Sequence, residues 1–168
     1  IIGESSIQQN LSGIKNINLS PKKAIPNPKS IEIIKNSDYI ILGPGSLYTS
    51  IIPNFLVSGI VEAIHKSEAK KILVCNVATQ LSETDNFSAE NHYKEIQKYT
   101  DKLNIDYFVV NSKLDRLGEN FPTSSVVDFG NLEELETIII KKDLMNNSFK
   151  GHHDSDKLSK TIMNIINK

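Results

Sequence analysis

The sequence predicts an α/β fold built on a doubly wound, mainly parallel sheet of the Rossmann type. Two short apolar runs, Tyr39–Leu42 and Lys71–Asn76, are bounded by polar or turn residues, as is typical of strands buried on both faces. Segments with a helical spacing of apolar residues separate the predicted strands along the chain. Strands that alternate with helices favour crossover connections and therefore a parallel sheet.

Alternation and prolines define the first elements of the chain. Ile14–Leu19 alternates apolar and polar residues, which predicts a half-buried strand. Pro21, Pro26 and Pro28 interrupt this pattern, because proline lacks the N–H that a sheet or a helix interior needs. After them, Ser30–Asn36 is predicted as a short helix.

The rest of the chain continues the alternation of helices and strands. Pro53 suits a first helical turn, and the residues after it place apolar groups along one stripe: Phe55, Leu56, Ile60, Ala63 and Ile64. The polar segment Val77–Phe87 predicts a loop, and Ser88 is a good N-cap for a helix running to about Tyr99. The remaining predicted elements are a strand over Tyr107–Asn111, a long loop over Gly118–Ser125, a short strand over Val126–Asp128, a helical turn over Asn131–Glu136, a strand over Thr137–Ile140 and a last helix over Ser155–Ile166.

Composition limits the class of function. The 168 residues carry a net charge of -1, so no overall field favours nucleic acid or a membrane surface as a partner. No apolar run reaches the roughly 18 residues of a membrane span. Arg116 is the only arginine, and a phosphate site must therefore use backbone N–H groups, hydroxyls and lysines. The single cysteine, Cys75, fits the cytoplasm, where we expect a homo-oligomer.

Polar residues follow the predicted strands at points that a parallel sheet brings to one edge. The first group is Gly43–Ser50, the second is Asn76–Asp85 and the third is Asn111. Ligands of open α/β sheets bind beyond the carboxyl ends of the strands. We therefore expect the three groups to meet in one crevice.

The first group can form a phosphate cradle. Gly43 and Gly45 allow the backbone to approach a ligand closely, and Pro44 stiffens the turn between them. Hydroxyl groups follow at Ser46, Tyr48, Thr49 and Ser50, where a helix start adds partial positive charge. A rigid turn whose hydroxyls merely cap the helix explains the same residues, and the pattern leaves both interpretations open.

The second group offers amides and hydroxyls that suit a sugar or a base: Asn76, Thr79, Gln80, Ser82 and Thr84. Glu83 and Asp85 could instead hold Mg²⁺ through water, and a solvated loop is the plain alternative. His92 lies one turn inside the next helix and either faces the same crevice or packs internally. Near the C-terminus, His152-His153-Asp154 resembles part of a metal site, but capping of the last helix by Asp154 or Ser155 explains it better.

These blocks together resemble the YvcK/CofD family. The resemblance rests on DYIILGPGSLYTSIIPNFLVSGIVEAI followed by KILVCNVATQLSETDNFSAENHYKEI, and it is close over about Ile31–Ile96. The family includes the gluconeogenesis factors and the 2-phospho-L-lactate transferases. The sequence of these blocks resembles the gluconeogenesis factors more than the transferases. The resemblance implies a regulatory protein that binds UDP-N-acetylglucosamine and is linked to carbon metabolism, cell shape and cell-wall synthesis. The alternative is a transferase that moves phospholactate from a nucleotide carrier to a deazaflavin, with Mg²⁺ as a possible cofactor.

The resemblance also implies which residues bind the nucleotide sugar or other phosphorylated small molecule. They are Gly43, Pro44, Gly45, Ser46, Leu47, Tyr48, Thr49, Ser50, Asn76, Thr79, Gln80, Glu83, Thr84, Asp85, His92 and His152. No residue is assigned to a bound metal, and no catalytic residue is assigned.

The chain departs from the family pattern at three points that bear on the site. Leu81-Ser82 stands where the family has Pro-Gly, which we expect to change that turn. His152 stands where the family has an arginine, and it would be a weaker, pH-dependent phosphate contact. The glycine-rich turn with which the family begins has no counterpart here. We therefore expect residues 1–168 to form a single α/β domain, the C-terminal half of a longer protein.

Overall fold

A four-stranded parallel sheet forms the centre of the computed structural model, which describes residues 2–3, 6 and 13–167. The strands are β1 (Tyr39–Leu42), β2 (Lys70–Val74), β3 (Tyr107–Asn111) and β4 (Ile138–Lys142), and they lie side by side in chain order. Their register pairs Ile41 with Ile72, Leu73 with Phe108 and Val109 with Ile140. The predicted α/β fold with a parallel sheet is confirmed.

Short helices connect and flank the strands. They are α1 (Pro28–Asn36), a π-helical turn (Leu47–Ile51), α2 (Ile52–Phe55), α3 (Ile60–Lys66), α4 (Ala89–Tyr99), a 3₁₀ turn (Leu132–Glu134) and α5 (Ser155–Ile166). Ser88 begins α4 with a capping box in which its side chain accepts from the N–H of Asn91 and the Asn91 side chain accepts from the N–H of Ser88. Asp154 begins α5 by accepting from the N–H groups of Asp156 and Lys157, as the capping interpretation predicted.

Helices cover both faces of the sheet. On one face, Leu42, Leu73 and Phe108 belong to the main core, into which the residues of α2, α3 and α4 also pack. On the other face, Ile72 and Val109 pack against residues of α5. Side chains on a strand point alternately to its two faces, which is why neighbouring residues of β2 enter different clusters.

Two predicted strands are wrong. Ile14–Leu19 has no strand structure, and its alternation instead places Ile14 and Ile17 against the main core as an irregular segment. Val126–Asp128 forms only an isolated bridge between Val126 and Ala78, because the carbonyl group of Asp128 instead accepts from the N–H of Ala89 at the start of α4. The helix predicted from Pro53 is also divided into α2 and α3, with a left-handed backbone at Gly59 between them.

Among the described residues, no single helix combines the length and the apolar character needed to cross a bilayer. Leu47–Phe55 and Ile60–Lys66 reach that length only when they are added together across a bend of 72°.

Candidate functional site

The carboxyl ends of β1 and β2 meet through one side-chain amide. Asn76 Nδ2 donates to the carbonyl oxygen of Gly45 at 2.8 Å, and the Gly45 N–H donates to Asn76 Oδ1 at 3.2 Å. Because both polar backbone groups of Gly45 are bound, the turn after β1 is held in one position relative to β2. The sequence prediction that these two polar groups converge is confirmed.

The turn itself requires glycine at its first position. Gly43 has φ +83°, and a Cβ there would lie 3.0 Å from the carbonyl oxygen of Val74 and 3.1 Å from Ile51 Cδ1. A side chain would therefore meet both a left-handed backbone and the end of the neighbouring strand. The absence of a side chain allows the turn to pass directly over β2.

Hydroxyl groups in this turn bond to each other and to a buried carboxylate. The Ser46 hydroxyl donates to the carboxylate of Glu83, and it accepts from the Thr49 N–H at 3.2 Å and from Thr49 Oγ1 at 2.5 Å. Glu83 is buried, and its Oε1 has no hydrogen-bond partner within the described residues. The Ser46 oxygen is therefore occupied within the protein, with a carboxylate directly behind it.

An open cleft of about 420 Å³ lies beyond this edge of the sheet. Seven of the predicted site residues line it: Pro44, Gly45, Ser46, Asn76, Thr79, Gln80 and His152. The remaining lining residues are Val77, Ala78, Phe121, Ser124, Gly151 and His153. The cleft thus joins the turn after β1, the loop after β2, the segment around Phe121 and the residues just before α5.

Gln80 and Thr79 have different roles in this cleft. The Thr79 N–H donates to the carbonyl oxygen of Ser125 at 2.8 Å, and the Ser125 N–H donates to Thr79 Oγ1 at 2.9 Å. These two bonds connect the loop after β2 to the segment that contains Ser125. The N–H of Gln80 donates to Thr84 Oγ1 at 2.9 Å, but Gln80 Oε1 is buried with no partner within the described residues. A buried amide oxygen without a partner is costly, and among the side chains that line the cleft Gln80 carries such an atom within the described residues.

Several predicted site residues lie outside the cleft. Leu47 and Tyr48 are buried in the main core, and Ser50 is exposed on the π-helical turn. Three others brace their own turns: Thr49 bonds to Ser46, Thr84 accepts from the N–H of Gln80, and Asp85 Oδ2 accepts from the N–H of Ser82 at 2.7 Å. A ligand contact by these residues stays a prediction.

Ser82 shows how the departure from the family pattern is accommodated. It occupies the glycine position of that pattern and has φ +66°. Its side chain is buried, and its hydroxyl oxygen has no partner within the described residues. A left-handed backbone is the conformation that glycine adopts without strain, so the serine is the strained choice here.

His92 packs behind the turn rather than in the cleft. Its Nδ1 lies 2.8 Å from the carbonyl oxygen of Ser88 and is therefore the protonated nitrogen, while the ring stands edge-on to Phe87 at 5.5 Å between centroids. Burial lowers the pKa of His92, so the ring is neutral. Its Nε2 is consequently a buried acceptor without a partner in the described part of the chain.

The carboxylates proposed for Mg²⁺ do not gather around one point. Glu83 accepts from Ser46, whereas exposed Asp85 accepts from the N–H of Ser82 within its own turn. Within residues 2–3, 6 and 13–167, no group of three or more His, Cys, Asp or Glu side chains is placed to hold a metal ion. These two residues therefore do not fit a magnesium site in the described structure.

Sequence reasoning missed the residues that form the far wall of the cleft. Phe121 and Ser124 belong to a segment predicted only as a long loop, and the bonds between Thr79 and Ser125 that fix it cannot be read from spacing. His153 also lines the cleft, with its Nε2 at 3.2 Å from the carbonyl oxygen of Cys75. Burial lowers the pKa of His153. Asn111, by contrast, does not line the cleft, so the expectation that the third polar group meets the other two is wrong: its side chain is buried and bound to the backbone of Lys113 and Leu144.

The amino-acid sequence of this chain matches a family model and several known relatives. The model of the family "2-phospho-L-lactate transferase CofD" matches residues 1–145. The gluconeogenesis factor of Bacillus subtilis strain 168 is 35% identical over 176 residues, covering 99% of this chain and 55% of that protein. The gluconeogenesis factor of Listeria innocua is 33% identical over 168 residues, covering 98% of this chain and 52% of that protein.

A solved structure agrees with these matches. The crystal structure of a protein member of the UPF0052 family from Bacillus halodurans superposes with a TM-score of 0.90 at 33% identity. The superposition covers 97% of this chain and 55% of that one. The chain thus spans about half the length of the relatives that it matches.

Proposed function

The chain belongs to the CofD family, and from that membership we propose that it acts as a regulatory protein of the gluconeogenesis-factor type by binding a nucleotide sugar. The proposed ligand class is a UDP-sugar such as UDP-N-acetylglucosamine. One observation carries the proposal: the cleft unites the polar ends of β1 and β2 with an aromatic wall at Phe121 and His152. A UDP-sugar, which has a charged diphosphate at its centre and a planar base at one end, matches a cleft with one polar and one aromatic wall.

The size and lining of the cleft support this ligand class. A volume of about 420 Å³ lies within the range that small-molecule sites occupy. The Gly45 and Asn76 groups bond to each other, so they set the shape of the cleft rather than offering free donors. Polar contacts to a ligand would come instead from Gln80, Ser124 and a ring nitrogen of His152.

Calorimetric titration tests the proposal. The full-length wild-type protein should bind UDP-N-acetylglucosamine saturably. Gln80→Ala should weaken binding roughly fivefold through the loss of about one net hydrogen bond. Gln97→Ala is the matched control, because Gln97 also has a buried unpartnered Oε1 but does not line the cleft. Absence of heat and of a thermal shift at millimolar ligand would refute the proposal.

The proposed physiological role combines the printed name of the relatives, gluconeogenesis factor, with what the family resemblance implies. We place the protein in the cytoplasm as a homo-oligomer, with nucleotide-sugar binding linked to carbon metabolism, cell shape and cell-wall synthesis. A strain that lacks the gene should grow poorly on a carbon source that requires gluconeogenesis. The wild-type gene should restore growth, and the Gln80→Ala gene should restore it only in part.

A transferase is the second candidate function, because the matching family model is that of 2-phospho-L-lactate transferase. In this alternative the protein transfers phospholactate from a nucleotide carrier to a deazaflavin with the help of Mg²⁺. The placement of Glu83 and Asp85 does not favour it, since the two carboxylates face separate partners. Mass spectrometry of a reaction with both substrates and Mg²⁺ distinguishes the two functions, because only a transferase yields a new deazaflavin product.

A further inference from the structure

A small internal cavity adjoins the floor of the cleft. Its volume is about 10 Å³, which is the space of roughly one water molecule. Gly45 and Asn76 line both the cleft and this cavity, so the two spaces meet at the hydrogen-bonded pair that these residues form. The other lining residues come from β2 and its end, β3, the π-helical turn and α4: Leu47, Ile51, Leu73, Val74, Cys75, His92, Ile96 and Phe108.

His92 brings an unpaired polar atom to this cavity. The side chain is buried, and its Nδ1 lies 2.8 Å from the carbonyl oxygen of Ser88, the N-cap of α4. That bond turns Nδ1 back toward the start of the helix and leaves Nε2 on the opposite edge of the ring. Nε2 is buried and has no partner within the described residues. Because burial lowers the pKa of His92, the ring is neutral and Nε2 is an acceptor that needs a donor.

The walls of the cavity decide which donor fits. Most of the lining is apolar, and apolar cavities stay dry unless a polar group holds water in them. Burial raises the pKa of the Cys75 thiol, which is therefore protonated and can donate a weak hydrogen bond. The Gly45 carbonyl oxygen accepts one bond from Asn76 and has a second lone pair. A water molecule has hydrogens for His92 Nε2 and for this carbonyl, and it can accept from the thiol.

We infer that this cavity binds one internal water molecule, which donates a hydrogen bond to His92 Nε2. The water joins α4 to the turn that forms the floor of the cleft, and it explains why a histidine stands among aliphatic side chains here. A metal cation does not fit, because it would require several oxygen ligands that these walls do not offer. The water site does not depend on which ligand the cleft binds.

NMR of the full-length wild-type protein tests for the water directly. A long-lived internal water gives nuclear Overhauser cross-peaks, with the sign of a bound molecule, to protons of the cavity wall such as those of Ile51, Ile96 and the His92 ring. The ¹⁵N resonances of His92 should show a protonated Nδ1 and an unprotonated Nε2 shifted as in a hydrogen-bonded imidazole. A high-resolution crystal structure should place one water at about 2.7–3.2 Å from Nε2.

Two variants and a control separate the role of Nε2 from packing in general. His92→Gln places a side-chain amide oxygen near the position of Nε2, so the water cross-peaks to Ile51 and Ile96 should persist. His92→Phe has no acceptor, so these cross-peaks should disappear. His65→Phe is the control, because the His65 Nε2 bonds to the carbonyl oxygen of Thr100 away from this cavity, and its loss should leave the water unchanged.

Each outcome supports the water site or overturns it. Water cross-peaks that are present in the wild-type protein and lost in His92→Phe support it. A wild-type cavity without cross-peaks and without water density refutes it, and so does a water that remains in His92→Phe. A His92 ring protonated on both nitrogens, or a protein donor bonded to Nε2, also overturns the inference. Should His92→Phe fail to fold, the wild-type spectra and crystal structure decide the question.

Discussion

The side-chain amide of Asn76 binds both polar backbone groups of Gly45, one as donor at 2.8 Å and one as acceptor at 3.2 Å. This pair joins the chain after β1 to the chain after β2 at the floor of the cleft. The shape of the cleft therefore depends on a residue that need not touch the ligand itself.

Asn76→Asp should destabilise the fold and weaken ligand binding. The carboxylate would face the carbonyl oxygen of Gly45, which now accepts a bond from the amide. The loss should be about 1–3 kcal/mol in the free energy of unfolding, because one bond is replaced by an unpaired acceptor. Urea denaturation measures it. Asn54→Asp is the control, since exposed Asn54 bonds only to carbonyls of its own helical turn; an equal loss in both variants would contradict the account.

Gly43→Ala should be more harmful than Gly59→Ala. Both glycines have nearly the same left-handed φ, +83° and +82°, so each alanine meets strain of about 1–2 kcal/mol. Only at Gly43 would the Cβ also press on the Val74 carbonyl at 3.0 Å, which should add about 1–3 kcal/mol. Unfolding free energies of the two variants measure the difference directly. Equal losses would show that the close approach of the turn to β2 has no energetic consequence.

Ser82→Gly should stabilise the protein by about 1 kcal/mol, because glycine adopts the left-handed backbone without strain and leaves no buried hydroxyl unpaired. Ser58→Gly is the control at a turn position without a positive φ, where added chain freedom should slightly lower stability. Thermal unfolding of both variants is the measurement. A destabilised Ser82→Gly protein would mean that the serine side chain has a favourable role.

Glu83→Gln should strengthen binding of an anionic ligand. The Glu83 carboxylate lies directly behind the Ser46 hydroxyl, and a negative charge there opposes phosphate in the cleft. Neutralising it should improve UDP-N-acetylglucosamine affinity by about 1 kcal/mol, roughly fivefold. Glu62→Gln removes the same charge from the exposed surface of α3 and should leave the affinity unchanged. Weaker binding by Glu83→Gln would indicate that the carboxylate contacts the ligand through its own oxygens.

Stability should fall as the pH is lowered from 7.5 to 5.5. Burial lowers the pKa of His92 and of His153, so both stay neutral in the folded protein at a pH where the unfolded chain takes up protons. The loss begins near the unfolded histidine pKa of about 6.5 and stops growing below the folded pKa. His92→Gln and His153→Gln should each reduce the dependence of the urea midpoint on pH, and the double variant should reduce it most. An unchanged slope in all three would refute this origin.

The sequence was sufficient for the parts of the fold that depend on local signals. β1, β3 and α5 have the predicted boundaries, because each is a dense apolar pattern between strong boundary residues. The strand prediction for Ile14–Leu19 failed because isolated apolar residues can also pack on a core from an irregular segment, as Ile14 and Ile17 do. The polar half of the cleft was predictable from the parallel topology, which brings Gly45 and Asn76 to one edge.

Of the aromatic wall of the cleft, only His152 was named from the sequence, and the contacts of its rings were not predictable. Phe121 reaches the site through a long loop whose position is set by the bonds between Thr79 and Ser125. Phe149 and His152 belong to the connection between β4 and α5, which lies against Phe121 in the folded protein. Such contacts depend on three-dimensional packing, which no residue spacing encodes.

A crystal structure of the gene-encoded protein with UDP-N-acetylglucosamine tests the central claim most directly. The account predicts ligand density in the cleft, in contact with Gln80, Ser124 and a ring nitrogen of His152. Ligand density at another place on the protein, with this cleft empty, would contradict it.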